Sequence, residues 1–360
     1  MKYLILQNPG HNRVYYQASD KMAMAELALA ASRFSTDCVG LDVVEIAGVR
    51  YIAFETEAEL VANDILLISR LSFVFAIFQR VSVEGKEMLL PVEKKAYEYL
   101  DGKVSSLLKY QGKTNELFTK MLVNIALLAS DFNYDDSIRM LDPVAGKGTT
   151  LFEGAVYGFN AYGIEVESKY VHELQVFFKK YLQTERMKHH AQERPVYGKS
   201  KADSIQIHEF AYAKTKEEFK SNETTKMLGI IGGRAQDAHK YFKDEVIHIL
   251  VGDLPYGIFH SNTGGKKLGG VTRNPLELLD ESLEEWYQVL KPGGTAVVAW
   301  NSYVAPRDKV ADLFIQHGFE VQIGPPFEEF EHMVDKSIKR DVIVARKEHL
   351  AGEIISSDWE

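Results

Sequence analysis

The run Asp253-Leu254-Pro255-Tyr256-Gly257 closes an apolar stretch, Val246–Val251, that reads as a buried strand. An acid, a proline and an aromatic at a strand end can handle a flat base that carries an amino group. Such an amine is a poor nucleophile, because its lone pair is delocalised into the ring. Asp253 and the carbonyl of Leu254 can accept its two N–H bonds and localise that pair. Pro255 fixes the backbone so that the acceptors stay aimed. Tyr256 offers a face on which a base swung out of any helix can stack. Positioning and charge stabilisation would then carry the rate, and Asp253 need not take a proton before transfer. The bland alternative is an ordinary turn with Tyr256 packed on the core, and this motif alone does not decide between them.

A second motif lies upstream, Leu141-Asp142-Pro143-Val144-Ala145-Gly146-Lys147-Gly148-Thr149. Gly146 and Gly148 let the backbone turn tightly and approach a ligand. Asp142, Ala145, Gly146, Gly148 and Thr149 are its candidate ligand contacts. Thr150-Leu151-Phe152-Glu153 fits a capping box, which predicts a helix start. A strand, glycine loop and helix can serve a dinucleotide or another adenosine ligand. The absence of a third glycine three residues on weakens the dinucleotide reading. The next strand ends at Glu165, whose carboxylate can accept both ribose hydroxyls. Asp237, after the third strand, can accept from an adenine amino group; Asp203 is a weaker rival. Asp253 counts with both sites, since it faces the same crevice.

These residues need a frame. From residue 111 onward strand-like runs alternate with helical ones: Arg139–Val144, Ala161–Val166, Met227–Ile231, Val246–Val251, Thr295–Trp300, Phe319–Ile323 and Asp341–Ala345. That alternation predicts an α/β fold, a Rossmann-like doubly wound sheet with its crevice at the C-terminal strand ends. A helix over Asn115–Ala129 precedes it, and its leading loop, with Lys113 and Thr114, is placed to cover the ligand. The long stretch Lys169–Lys226 is expected to hold a helix, a basic segment and a second helix. A glycine-rich, basic loop, Phe259–Arg273, reads as a flap that grips phosphate or closes on a substrate.

Residues 1–110 form a first unit, a smaller α+β domain. Val14-Tyr15-Tyr16 reads as a short strand, Asp20–Ser32 as a helix, and Asp42–Ile46 with Tyr51–Glu55 as a hairpin. The second unit spans residues 111–350.

The 360 residues suit two domains, and 46% hydrophobic with 26% charged residues suits a soluble protein. The one cysteine, Cys38, excludes an internal disulfide and suggests a reducing, cytoplasmic setting. No Cys/His cluster has the spacing of a structural zinc site, and no metal is expected. The N-terminus is soon too polar for a signal peptide, and Arg70 and Gln79 interrupt the most apolar window, Ile65–Val81, so no membrane partner is expected. A net charge of −9 speaks against nucleic acid as a whole-chain property. A local patch suffices, however, and Lys179–Lys201 supplies one, read otherwise as a solvated helix face plus a loop. The sequence leaves the oligomeric state open.

Taken jointly, these motifs resemble the class I S-adenosylmethionine (SAM) dependent methyltransferases that modify amino groups of bases. Their acceptor motif, Asp/Asn/Ser-Pro-Pro-Tyr/Phe, stands here as Asp253-Leu254-Pro255-Tyr256. The leucine departure and the following Gly257 are similar to the tRNA guanine-N2 methyltransferases, within the putative RNA methylase family. The loop from Asp142 to Thr149 looks like their Asp-Pro-x-x-Gly-x-Gly-Thr, and Lys291-Pro292-Gly293-Gly294 is a turn common to many class I enzymes. The resemblance covers residues 111 to 347. It implies SAM as cofactor, RNA (a tRNA) as partner, and an RNA-binding module of the THUMP kind at the N-terminus, for which 1–110 is short and carries no sharp motif. A DNA adenine-N6 methyltransferase is the alternative, opposed by Leu254 and by the lack of a target-recognition domain. A non-catalytic nucleic-acid-binding protein on the same fold is opposed by the intact Gly146, Gly148, Glu165, Asp253 and Tyr256.

Overall fold

A computed structural model describes residues 1–8, 13–107, 114–196, 205–255 and 274–349, with 13–18 described by their backbone. The chain opens with β1 (Lys2–Gln7), α1 (Arg13–Ala31), β2 (Cys38–Ile46), β3 (Val49–Thr56), α2 (Ala62–Arg70), β4 (Val74–Val83) and β5 (Lys86–Val92). The strands form an antiparallel sheet in the order β2-β3-β1-β4-β5. Without β5 this is the βαββαβ arrangement of ferredoxin-like units. The expected hairpin is there as β2 and β3. Val14-Tyr15-Tyr16 is not a strand, however; it lies inside α1. Strands β1 and β2 are not neighbours in the sheet, so the chain between them crosses over as α1, which packs on β2 and β3.

A short helix, α3 (Val104–Leu107), precedes α4 (Glu116–Leu128). The helix α4 has its expected bounds: the Asn115 side chain accepts the Leu117 N–H at 2.8 Å, and Ala129 closes the other end. Nearly every face of α4 is buried, because it lies between α1 and the larger sheet. The Arg33 guanidinium, at the end of α1, donates to the carbonyls of Leu127, Leu128 and Phe132. These carbonyls belong to the α4 C-terminus and the loop after it, where a cation also suits the helix dipole. The Asn124 amide donates to the buried Glu26 carboxylate at 2.7 Å. Tyr3, Ile5 and Phe54 of the first sheet thus share one core with Phe118, Met121 and Ile125 of α4.

The larger sheet is built from β6 (Arg139–Asp142), α5 (Thr149–Val156), β7 (Asn160–Glu165), α6 (Ser168–Thr184), β8 (Lys188–Val196), β9 (Ile205–Ala213), β10 (Lys226–Gly232), α7 (Ala238–Tyr241), β11 (Ile247–Asp253), α8 (Pro275–Val289), β12 (Leu290–Asn301), α9 (Arg307–Gln316), β13 (Glu320–Val321), β14 (His332–Met333) and β15 (Lys339–Arg346). Its order is β13-β15-β12-β11-β6-β7-β10-β9-β8, with β14 on β15. The centre, from β10 to β12, is parallel. Counted from β6, its strands run 3-2-1-4-5, the doubly wound Rossmann-like order, and β15 enters antiparallel beside β12. Chain direction around the sheet reverses between β6 and β11, which puts the crevice at their C-terminal ends.

Two local expectations are corrected. Between α6 and β10 lies an antiparallel hairpin, β8–β9, where the basic segment and a second helix were expected. Ile205–Ala213 alternates with period two, so Phe210 and Tyr212 pack on Phe178 of α6 while β9 extends the sheet from β10. Lys188, His190 and Arg194 therefore stand on an exposed edge strand, not on a helix face. The start of α5 is not a capping box either. Its N-cap is Gly148, and Thr150 instead bonds Asp142. Among the described residues no helix is long and apolar enough to cross a membrane.

Candidate functional site

The glycine loop leaves β6 at Asp142 and enters α5 at Thr149. Gly146 and Gly148 have φ of 52° and 82°, the left-handed region that side chains disfavour. At Gly148 a Cβ would also lie 2.4 Å from a Leu174 methyl. The loop is pinned from within: Ala145 donates its N–H to the Ile164 carbonyl at 2.9 Å and accepts the Gly148 N–H at 2.7 Å. Ala145 and Thr149 are both buried.

Glu165, at the end of β7, faces this loop. One carboxylate oxygen accepts the Gly146 N–H at 2.7 Å, and the other accepts the Glu167 N–H at 2.7 Å. Burial raises its pKa, and these backbone bonds oppose the rise. Asp142 is more deeply enclosed. Its carboxylate accepts the Val144 N–H at 3.0 Å and the Thr150 hydroxyl. Burial pushes its pKa up to about 7, helped by the charges of Asp253 and Glu165 and opposed by its two hydrogen bonds.

Asp253 ends β11, the parallel neighbour of β6. The Thr114 hydroxyl donates to its Oδ2 at 2.6 Å. The Arg340 Nη2 lies 3.7 Å from the same oxygen. Burial raises the Asp253 pKa, while Arg340, the Thr114 hydrogen bond and His332 lower it. The next residue, Leu254, donates its N–H to the Ala299 carbonyl at 2.8 Å and buries its side chain under α8. Pro255 is exposed. Tyr256, Gly257 and the loop from Phe259 to Arg273 lie outside the described residues, as do Lys113 and Asp203.

The structure thus brings Asp142, Ala145, Gly146, Gly148, Thr149, Glu165 and Asp253 to one end of the sheet. Asp237 closes a short 3-10 turn after β10, where it pairs with Lys240 at 2.6 Å. Sequence reasoning assigned Thr114 to covering a ligand rather than to bonding Asp253. It missed Arg340, His332 and Phe118 entirely. The Arg340 guanidinium lies 4.4 Å from the centre of the Phe118 ring, and His332 packs on that ring at 5.1 Å. The one available signal was Arg340-Asp341, two charges abutting the apolar run Val342–Ala345; both are buried. Among the described residues no group of three or more His, Cys, Asp and Glu could hold a metal ion.

No family model matches the chain, and no curated protein matches it. Solved structures similar to it include TrmN from Thermus thermophilus, at 11% identity and a TM-score of 0.44 over 96% of this chain and all (100%) of that one. Fibrillarin, a pre-rRNA processing protein of Methanococcus jannaschii, gives 12% and 0.35 over 87% and 100%. An rRNA methylase from Streptococcus thermophilus gives 12% and 0.33 over 60% and 89%. These low scores carry no conclusion about this chain, whose fold rests on its own strand order.

Proposed function

We propose that this chain is a SAM-dependent methyltransferase acting on an exocyclic amino group of an RNA base, with guanosine N2 in a tRNA as its acceptor. One observation carries the reading: the glycine loop after β6 and Asp253 after β11 open on the same crevice, at the switch point of a doubly wound sheet. The residues fit the donor. The Glu165 carboxylate accepts the N–H groups of Gly146 and Glu167, and a backbone bond from Val166 besides; of its roughly four acceptor positions, capacity remains for a ribose hydroxyl. Asp142 and Asp253 repel each other in a buried setting, which favours a cationic ligand. Asp237 is the proposed partner of the adenine amino group.

The bound donor supplies an electrophilic methyl on a sulfonium, and the sulfur keeps the bonding pair as a neutral thioether. The chain's residues prepare the nucleophile. Asp253 and the Leu254 carbonyl accept the two N–H bonds of the base amine and free its lone pair for in-line attack. The surplus proton leaves after the C–N bond has formed, with the Asp253 carboxylate as its first acceptor. Tyr256 is proposed to stack on the flipped base. The unit over residues 1–110 is proposed to contact the RNA.

Transfer of labelled methyl to unmodified tRNA, rRNA and DNA, followed by nucleoside analysis, tests this. The expected product is N2-methylguanosine in tRNA. Label in DNA as N6-methyladenine would move the reading to the alternative acceptor, and no transfer to any of them would sink it.

The crevice electrostatics give a pH dependence. Asp142, pushed up to about 7, is largely protonated at pH 6 and ionised at pH 8. A cationic donor prefers the ionised form, so its affinity should rise across that window, by up to about tenfold per pH unit below the pKa. Calorimetry at several pH values measures it. Asp142→Asn should flatten the rise, and an equal rise in that variant would remove Asp142 from the account.

A further inference from the structure

Asp253, which shares the two N–H bonds of the base amine with the Leu254 carbonyl, is the stronger acceptor when ionised, yet the fold buries it. Three elements meet around it. The loop before α4 brings Thr114, whose hydroxyl donates to Asp253 Oδ2 at 2.6 Å. Strand β15 brings Arg340, whose Nη2 lies 3.7 Å from that oxygen. Strand β14 brings His332, directly opposite Arg340 in the register. Asp253 in turn opposes the ionisation of Asp142 on β6, while Asp253, Asp341 and Glu331 act on His332.

Arg340 is an expensive residue to place here. Its side chain is only 5% exposed, and an uncompensated charge at such burial costs several kcal/mol. Its plane rests on the Phe118 ring at 4.4 Å, a contact that suits a flat guanidinium better than an ammonium. Phe118 lies on α4, one turn after Thr114. The loop that supplies the hydroxyl therefore leads directly into the helix that supplies the platform for the cation. Burial in this pocket also lowers the pKa of His332, which leaves Arg340, among the described residues, as the permanent positive charge beside Asp253.

We propose that Arg340, stacked on Phe118 and acting together with Thr114, is a positioning residue of the acceptor site: it keeps the Asp253 carboxylate charged and fixed as a hydrogen-bond acceptor for the base amine. The inference rests on the methyl-transfer reading and adds residues that the acceptor motif does not contain. Arg340 acts through Asp253 and touches neither donor nor acceptor in this account. The insertion of β15 beside β12 thereby becomes part of the site's chemistry.

The test uses the full chain with Arg340→Met, Arg340→Lys and Thr114→Val. At saturating donor, where the effect of Asp142 on donor binding drops out, the wild-type acid limb of kcat/KM for the RNA acceptor should follow ionisation of Asp253. An opposite charge at this range lowers a carboxylate pKa by about 1 to 3, so Arg340→Met should move the limb up by about that amount. At pH 7 kcat/KM should fall at least about tenfold and recover in part at higher pH. Arg340→Lys and Thr114→Val should show smaller displacements in the same direction. Donor affinity by calorimetry should stay within about threefold, which reports that the glycine loop is folded. Carboxyl-carbon NMR of aspartate-labelled protein, with Asp253→Asn for assignment, reads the same titration without any turnover. A limb and a carboxyl titration that coincide with the wild type in Arg340→Met would overturn the proposal. Should Arg340→Met not fold, unmoved carboxyl titrations in both other variants would do the same. Absence of transfer in the wild type would instead fail the methyl-transfer reading, and the NMR titration would still decide the role of Arg340.

Discussion

Replacing Asp253 by alanine should lower kcat by about 10³-fold or more while leaving donor affinity within a few-fold of the wild type. That loss corresponds to roughly 4 kcal/mol of transition-state stabilisation at 1.36 kcal/mol per tenfold. The size follows from what the carboxylate does. Accepting an amine N–H costs little in the ground state, but the nitrogen gains positive charge as the C–N bond forms. A fixed, buried anion beside it is worth most at that moment, so the effect belongs in kcat. Asp253→Asn is the sharper variant. It keeps the shape and the Thr114 contact but removes the charge, and it leaves Arg340 buried without its carboxylate. It should recover little activity. Single-turnover kinetics with labelled donor, beside calorimetry, separates the two quantities. Joint loss of transfer and donor binding would place Asp253 in the donor site alone.

The legible parts of this molecule are those where local chemistry and fold agree. Gly146 and Gly148 announce left-handed backbone because other residues rarely tolerate it, and both adopt it. The central strands are continuous apolar runs, as strands buried on both faces must be, and their alternation with helices leaves few topologies. Asn115 caps α4 as its side chain suggests. Legibility fails where long-range partners decide. Val14–Tyr16 has strand-forming side chains but lies on the crossover from β1 to β2, which the chain makes as a helix. The β8–β9 hairpin was hidden because Lys188–Val196 is polar on both faces; only its neighbour β9 carries a core. Glu153, read as a capping partner, is buried on α5 near Lys120. Arg340 and His332 stand far from Asp253 in sequence, and no local pattern couples them to it. They arrive because β15 runs antiparallel into the sheet, placing Arg340 opposite Asn301 at the same end as Asp253.

Glu165 is where the second large effect is expected. Its carboxylate has two duties that alanine would remove together. It ties Gly146 to the end of β7 through the 2.7 Å bond from the Gly146 N–H, and under the proposed function it accepts a ribose hydroxyl of the donor. Hydrogen bonds to a charged acceptor contribute about 1.5–3 kcal/mol each. Loss of two should weaken donor binding by about 10²- to 10⁴-fold, with kcat at saturating donor far less affected. Glu165→Gln separates the duties. Its amide oxygen can still accept one N–H, but the amide nitrogen now meets a backbone N–H, from Gly146 or from Glu167 according to its orientation. One hydroxyl contact is also weakened, so a loss near 10- to 100-fold is expected. The contrast with Asp253 carries the argument. Changes at Glu165 should appear in donor affinity and largely vanish at saturation, whereas changes at Asp253 should persist there. Calorimetric titration of both variants beside saturating-donor rates reads this directly. A Glu165→Ala protein that binds SAM as the wild type does would remove the ribose assignment, and with it the main support for placing the donor at the end of β7.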